Sequence, residues 1–196
     1  MSSSSRSPRP ERARAAAAAL AVTAMVAAAD ESLASGTPEH VRKYVEAPKV
    51  AGQGKLTWFG FHVYDAQLFV PGSRFDAANW PSQPFVLELT YARKLEGQAI
   101  AQTSVEEMQR MGLGTPQQHA RWLEAMRKLF PDVDKGRRIA GVNVPGTGAR
   151  FYVDGRFAGS VDEPEFARAF FAIWLDERTR APKLRDSLLA AAAGSS

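Results

Sequence analysis

The hydrophobic pattern of this chain centres on one stretch, Gly54–Val70, which reads GKLTWFGFHVYDAQLFV. A strand with one buried face alternates apolar and polar residues with a period of two. Here apolar residues occupy both sets of alternate positions, so we expect both faces to be covered. The pattern predicts one long central strand, or two strands that meet in a bend at Gly60. Any ligand cavity is expected to be lined by this stretch.

Further strands are indicated on both sides of the central stretch. A lead-in strand is predicted around Val41–Val45, and Phe85–Tyr91 alternates cleanly. The face of Phe85–Tyr91 expected in the core consists of Phe85, Leu87, Leu89 and Tyr91. Arg137–Val161 returns to a period of two and contains turn signals at Pro145–Gly148 and at Asp154-Gly155. This pattern predicts a three-stranded antiparallel meander.

Four helices are indicated by apolar residues spaced three and four positions apart. The first covers Glu96–Met111, and the second begins at Thr115, an N-cap followed by proline at N1 and glutamine at N3, and ends at Pro131. Asp162 is predicted to cap the third helix, and the fourth lies around Pro182–Ala192. Strands, two helices, strands and two helices in this order predict an α+β fold, a large antiparallel sheet with helices packed on it.

Length, composition and charge limit this picture further. The chain has 196 residues, 45% of them hydrophobic, which predicts one globular domain, residues 35–196, behind a short N-terminal segment. The absence of cysteine excludes disulfides and thiolate metal sites. Of the net charge of +4, residues 1–29 contribute four arginines against one glutamate, which leaves 21 basic and 20 acidic residues, a net of +1. Nucleic acid is therefore not an expected partner.

The N-terminus has the layout of a secretory signal peptide. Ser2–Arg14 is polar and basic, and Ala15–Ala29 is an uncharged run of small and apolar residues. Small residues at Ala27–Ala29 and at Ser32–Ala34 predict a signal peptide, residues 1–34, cleaved near residue 29 or 34. The apolar run is shorter than the ~20 residues of a membrane span, so no stable span is expected after its removal. We therefore expect a periplasmic or secreted protein; the alternative is a disordered, alanine-rich extension.

Few residues fit a catalytic or metal-binding pattern. The histidines, His40, His62 and His119, are far apart in sequence, and packing or hydrogen bonding explains them better than catalysis. The sequence contains no zinc-hydrolase, phosphate-loop or esterase-elbow motif, and neither a metal nor a cofactor is expected. No feature of the sequence specifies an oligomeric state.

Polar residues on otherwise apolar strands are the better candidates for a binding site. Lys55 and Tyr64 lie in the central stretch, and Tyr91 ends the following strand. A tyrosine hydroxyl and a cation above an apolar floor suit an amphipathic acid or phenol, so these three residues are the predicted ligand-binding residues. The alternative is that the lysine is a solvated strand end and that the tyrosines belong to the core.

Four segments, in order, resemble the chalcone isomerase-like proteins of bacteria. They are GKLTWFGFHVYDAQLF, LTYARKLEGQAIAQTSVEEM, TGARFYVDGRFAG and PEFARAFFAIWLD, and together they cover about Val50–Leu189. The resemblance implies the chalcone isomerase fold, a large antiparallel sheet with helices packed on it and a cleft between them. The resemblance implies one of two activities. Plant enzymes of this type close a flavanone ring with an Arg, a Thr, a Tyr and Lys residues, whereas non-catalytic relatives bind fatty acids in the same cavity.

The catalytic residues implied by this resemblance are not matched in the chain. The position of the Thr falls at Phe59, that of the Tyr at Ile100, a neighbouring Lys at Thr103 and an Asn at Glu107. The strand Arg has no clear equivalent, and Lys55 is at best a nearby substitute. Phenylalanine and isoleucine cannot polarise a ketone or organise water, so no residue is predicted to be catalytic.

The sequence thus indicates an exported, non-catalytic chalcone isomerase-like domain that binds a fatty-acid-like or other amphipathic small molecule. Two alternatives stay open: an isomerase or lyase with a rearranged active site, and a cell-envelope scaffold or assembly partner without a ligand. In the scaffold the cleft would be filled by large side chains, namely Met108, Trp122, Phe170 and Trp174. A solid interior with a separate exposed apolar patch would favour the scaffold.

Overall fold

Residues 36–192 are described by the computed structural model of the chain. Every element named here belongs to one compact unit, which begins at Pro38. The predicted signal peptide and its cleavage positions lie outside the described residues. No helix between residues 36 and 192 is both long and apolar enough to cross a membrane.

Six strands form one antiparallel sheet whose spatial order follows the order of the chain. The strands are β1 (Lys49–Trp58), β2 (Phe61–Val70), β3 (Phe85–Tyr91), β4 (Arg138–Val144), β5 (Gly148–Val153) and β6 (Arg156–Val161). The helices are α1 (Glu39–Arg42), α2 (Gly97–Arg110), α3 (Pro116–Leu129), α4 (Pro164–Leu175) and α5 (Pro182–Leu188), with a 3₁₀ helix at Ala77–Ser82. The predicted α+β fold and its three-stranded meander are confirmed.

The central stretch forms two strands joined by a tight turn. Phe59 and Gly60 are the central residues of the turn, with φ angles of 48° and 81°, and Trp58 pairs with Phe61 across it. Positive φ at both central positions is the signature of a type I′ hairpin turn, whose twist matches that of the flanking strands. The bend predicted at Gly60 is therefore a complete reversal of the chain.

The two faces of the sheet have different coverings. Alternate residues of β2 and β3 face the helices and lie in the main core, among them Tyr64, Leu68, Phe85, Leu87, Leu89 and Tyr91. On the outer face, Phe69 and Val86 form a smaller cluster with Val41 and Val45. The predicted buried face of β3 is confirmed. Both faces of the central stretch were predicted to be covered. Its inner face is covered by the helices, but its outer face is covered only at the end that contains Phe69.

The lead-in strand predicted around Val41–Val45 is wrong, because this segment begins in the short helix α1 and continues as a turn. The carbonyl oxygen of Pro38 accepts a hydrogen bond of 3.0 Å from the amide of Val41, which starts a helical turn. Val41 and Val45 lie four positions apart, so a helical turn brings both to one side, where they are buried against the outer face of the sheet.

The predicted cap of α3 is confirmed, whereas the predicted cap of α4 is wrong. The Thr115 hydroxyl accepts a hydrogen bond from the amide of Gln118, and the Gln118 side chain accepts one from the amide of Thr115. The N-cap of α4 is Glu163 and not Asp162. Asp162 instead forms an ion pair with an arginine of β5, and Pro164 occupies the first helical position.

The last predicted helix is confirmed as α5, which packs on the edge strand β1. The amide of Ala191, just beyond α5, donates a hydrogen bond of 2.9 Å to the carbonyl oxygen of Ala51. At Gly52, a Cβ atom would collide with the carbonyl oxygen of Ser187. Glycine at this position therefore permits the close approach of α5 to β1.

Replacing Thr115 with alanine should remove the capping box and destabilise α3. The loss of an N-cap hydroxyl costs roughly 1 kcal/mol of folding free energy, and α3 supplies the buried Trp122 and Met126 to the core. We expect the urea midpoint of Thr115→Ala to fall. Thr103→Ala, a change at an exposed position inside α2, should alter the free energy of unfolding by less than about 0.5 kcal/mol. Equal stability of the two variants would contradict the role of the cap.

Candidate functional site

Tyr64 and Tyr91 lie side by side on the inner face of the sheet. They are directly paired residues of β2 and β3, so their side chains point to the same face, with ring centroids 5.9 Å apart. Both are buried, with 9% and 4% of their surface exposed. Trp174 of α4 contacts Tyr64, because its indole nitrogen donates a hydrogen bond of 2.9 Å to the hydroxyl oxygen of Tyr64. We call these three residues the tyrosine cluster.

Burial keeps both hydroxyls of the tyrosine cluster protonated. Desolvation raises the pKa of Tyr64 and the pKa of Tyr91 well above the ordinary tyrosine value of 10.0. The hydrogen bond from Trp174 lowers the pKa of Tyr64, but burial outweighs it. Within residues 36–192, neither hydroxyl donates its own proton to an acceptor. The cluster therefore presents two neutral O–H donors in an apolar interior.

The charge of Glu107 acts on Tyr64 of the tyrosine cluster, and we call Glu107 and the two arginines that bind it the Glu107 network. The Glu107 carboxylate binds the guanidinium groups of Arg110 and Arg180, at 2.9 and 3.0 Å. Only 14% of the Glu107 side chain is exposed, whereas the Arg180 side chain is 57% exposed. The negative charge of Glu107 also acts on Tyr64 and contributes to its raised pKa. Two cations thus meet one carboxylate beside a neutral phenol.

Large side chains fill the space between the sheet and the helices near the tyrosine cluster. All four residues proposed from the sequence as possible fillers are buried, namely Met108, Trp122, Phe170 and Trp174. Phe170 and Trp174 are in ring contact, with centroids 5.3 Å apart. Leu56, Val63 and Ile100 are among the apolar side chains that pack against this core and are only partly buried. The tyrosine cluster is therefore part of a packed interior with a looser margin.

The structure does not bring Lys55 to the two tyrosines. Lys55 pairs with Asp65, the neighbour of Tyr64 on β2, so its side chain points to the outer face. It lines a recess of about 400 Å³ there, whose polar lining consists of Gln53, Lys55, Asp65, Gln67, Glu88 and Thr90. A second recess of about 240 Å³ lies beside Asn143 and Pro164. Neither recess is lined by the tyrosine cluster, so the cavity lined by the central stretch is a polar one.

His40 and His119 are buried, and only His119 forms a hydrogen bond through its Nε2 atom, because the Nε2 atoms of His40 and His62 have no hydrogen-bond partner within residues 36–192. His40 is buried, with its Nε2 atom 3.3 Å from the Glu88 carboxylate and its ring stacked on Tyr152 at 5.0 Å. The Nε2 atom of His119 lies 2.8 Å from the carbonyl oxygen of Leu113. No group of three or more metal-binding side chains occurs in the described part of the chain.

The positions implied for catalysis carry little acid–base chemistry. Phe59 lies at the β1–β2 turn and is 86% exposed. Ile100 and Thr103 lie on α2, where the first is half-buried and the second exposed. Of the four residues at these positions, only Glu107 carries a carboxylate, and two arginines bind it.

Sequence reasoning missed the polar partners of the two tyrosines. Trp174 was predicted only as a filler, although a buried indole N–H needs an acceptor, and this requirement was the available signal. Glu107 lies on α2 and Arg180 in the segment between α4 and α5, and no local pattern links them. Their pairing depends on how α2 lies relative to the segment that follows α4.

Comparisons with known proteins agree on the fold. Residues 46–190 match the sequence profile of the family described as chalcone isomerase-like. An uncharacterised protein of Haemophilus influenzae is 27% identical over 138 residues, which cover 70% of this chain and 66% of that protein. The chain thus spans just under two thirds of this relative. The crystal structure of a fatty-acid binding protein of Arabidopsis thaliana matches with a TM-score of 0.60 at 16% identity, over 74% of this chain and 88% of that one.

The raised pKa values of Tyr64 and Tyr91 predict a loss of stability in alkali. Above pH 10 the unfolded chain releases tyrosine protons that the folded chain retains, so the free energy of unfolding falls as the pH rises. Each buried tyrosine contributes up to about 1.4 kcal/mol per pH unit between pH 10 and its folded pKa. Urea unfolding at several alkaline pH values should show a shallower fall for Tyr91→Phe than for the wild type. Identical slopes for the two proteins would contradict the burial of this hydroxyl.

Proposed function

We propose, from the premise that this chain belongs to the chalcone isomerase-like family, that it is a non-catalytic member which binds an amphipathic, fatty-acid-like molecule. A protein of the same fold from Arabidopsis thaliana is named for fatty-acid binding. The resemblance implies a catalytic Thr at position 59 and a catalytic Tyr at position 100. This chain has the apolar residues Phe59 and Ile100 there. Both observations support binding over catalysis. The buried side chains in the interior and the exposed aromatic residues of the β1–β2 turn are the features expected of a ligand-free scaffold, which is the second candidate function.

The hydroxyl of Tyr64 is the observation that carries this proposal. It accepts one hydrogen bond from Trp174, is buried, and keeps a proton that has no acceptor in residues 36–192. A buried donor without an acceptor costs roughly 1–3 kcal/mol. A carboxylate or carbonyl oxygen of a ligand would supply the missing acceptor.

The Glu107 network supplies the charge that an acidic head group requires. Arg180 is more than half exposed and reaches Glu107 beside Tyr64. A ligand carboxylate that approaches along Arg180 competes with Glu107 for the guanidinium groups and meets the tyrosine hydroxyl. The head group therefore binds between Arg180 and Tyr64.

The apolar part of the ligand enters at the looser margin of the core. Leu56, Val63 and Ile100 are partly buried there, so fewer contacts are lost when they move than when a fully buried side chain moves. Because side chains fill the interior, the ligand displaces them instead of entering a preformed cavity. Binding is then accompanied by a conformational change, and its apparent affinity depends on how often the margin opens.

We also propose that the protein is exported, on the basis of the N-terminal sequence pattern. The segment that ends near residue 29 or 34 is then absent from the mature protein, which starts near residue 30 or 35. Intact mass measurement and N-terminal sequencing of protein purified from its native cells test this proposal. A native protein that retains residues 1–29 would contradict it.

Replacing Tyr64 with phenylalanine should weaken the binding of a fatty acid without unfolding the protein. The change removes one hydroxyl that donates to the charged head group, and such a bond contributes about 1.5–3 kcal/mol, or roughly a tenfold or larger effect on the dissociation constant. A titration with a fluorescent fatty acid measures the effect. Lys55→Ala is the matched control, because Lys55 lies on the outer face of the sheet, and its affinity should equal that of the wild type.

Three results would contradict this proposal. Equal affinities of Tyr64→Phe and the wild type would remove Tyr64 from the site, and weaker binding by Lys55→Ala would place the ligand in the outer recess. An absence of bound acyl species in native mass spectrometry, with no binding in the titration, would favour the ligand-free scaffold. Faster cyclisation of a chalcone by the purified chain than by buffer would favour the isomerase.

A further inference from the structure

The turn between β1 and β2 exposes three large aromatic side chains. Trp58 is 55% exposed, Phe59 86% and Phe61 64%. They are contiguous in the chain apart from Gly60, and Trp58 and Phe59 are in edge contact with centroids 5.2 Å apart. We call Trp58–Phe61 the aromatic tip. Clustered apolar groups on a protein surface mark interaction sites more often than single ones do.

Folding alone does not favour phenylalanine at the most exposed position of the aromatic tip. Phe59 has a φ of 48°, a left-handed conformation that is unfavourable for a bulky side chain. A type I′ turn prefers asparagine or aspartate before glycine, as in the Asp154-Gly155 turn of the same sheet. The Phe59 side chain also gains little from burial, because most of it faces solvent. Its contribution therefore lies in a contact outside the fold.

Positive charge borders the aromatic tip. The guanidinium group of Arg93 lies over the ring of Phe61, 5.5 Å from its centroid. Lys55, three residues before Trp58, and Lys94, next to Arg93, are also exposed. No carboxylate within residues 36–192 forms an ion pair with any of these three cations. The nearby Asp65 contacts His62 at 3.2 Å. The border of the tip therefore suits an anionic surface.

We infer that the aromatic tip inserts into the head-group region of an anionic lipid bilayer. Tryptophan prefers this region because its ring is apolar and its N–H is polar, and basic residues at the border add attraction to anionic lipids. The tip is convex and offers three side chains, whereas a specific protein interface buries about 1,200–2,000 Å². A bilayer accepts a small convex tip without a complementary groove. This inference does not depend on what the tyrosine cluster binds.

Tryptophan fluorescence reports insertion of the tip directly in the full chain. Of the four tryptophans in the sequence, Trp80, Trp122 and Trp174 are buried, with at most 7% exposed, so Trp58 is the one that a lipid-borne quencher reaches. We expect brominated lipids in vesicles of equal parts phosphatidylglycerol and phosphatidylcholine to quench Trp58. We expect little quenching in vesicles of brominated phosphatidylcholine alone.

Phe59→Asn separates membrane binding from folding. It removes the most exposed ring and creates the Asn-Gly pair that type I′ turns prefer, so the thermal midpoint should stay equal or rise. We expect vesicle affinity to fall by about tenfold, from the loss of one buried phenylalanine. Phe157→Asn is the matched control, because Phe157 is 59% exposed but lies on β6, at the opposite edge of the sheet. Its affinity should equal that of the wild type.

Several outcomes would overturn this inference. A Trp58 that is not quenched by the anionic vesicles would exclude insertion, even if the full chain binds them through its N-terminal segment. Equal affinity of Phe59→Asn and the wild type would exclude the tip as the anchor, and equal quenching in neutral vesicles would exclude the selection of anionic lipid. A concentration-dependent rise in mass that Phe59→Asn abolishes would assign the tip to contact between two copies of the chain.

Discussion

The packing of α4 against the inner face of the sheet is the contact on which the rest of the structure depends. Aromatic side chains form most of this layer: Phe170 lies 5.2 Å from Phe151 of β5, and Phe171 lies 4.8 Å from Phe85 of β3, measured between ring centroids. Edge-to-face contacts of this kind are directional, so they define the position of the helix as well as its burial. That position places the indole nitrogen of Trp174 at the hydroxyl of Tyr64. A shift of α4 by one turn would leave both polar atoms buried without partners.

The pleat of the sheet separates two kinds of chemistry that the sequence places next to each other. On β2, Tyr64 faces the helices and Asp65 faces outward. Tyr91 pairs with Tyr64 and also faces the helices, whereas Lys55 pairs with Asp65 and also faces outward. The inner side is apolar and holds neutral hydroxyl groups. The outer side is a polar recess whose carboxylates and lysine stay hydrated. An amphipathic ligand has its apolar contacts on the inner side alone, which is why the tyrosines and not the lysine define the proposed site.

Two features depart from what folding alone favours, and both lie along the central strands. The hydroxyl of Tyr64 is buried without an acceptor for its proton, and Phe59 holds a bulky side chain in a left-handed turn. Local conflicts of this kind are expected at functional positions. At the proposed site, a ligand acceptor would relieve the first conflict. The second places an aromatic ring where an apolar or interfacial environment can receive it.

The sequence by itself determined the elements whose signals act over a few residues. The cap at Thr115, the Asp154-Gly155 turn, the alternation of Phe85–Tyr91 and the helical spacing in α3 all predicted the observed structure, because capping, turn geometry and periodicity are local. The tertiary structure decided the helical turn at Val41, the pairing of Asp162, the side of the sheet that Lys55 faces and the contact between Trp174 and Tyr64. These depend on strand register and helix docking, which bring together residues far apart in the chain, and a shift of one residue in register turns every side chain of a strand to the other face.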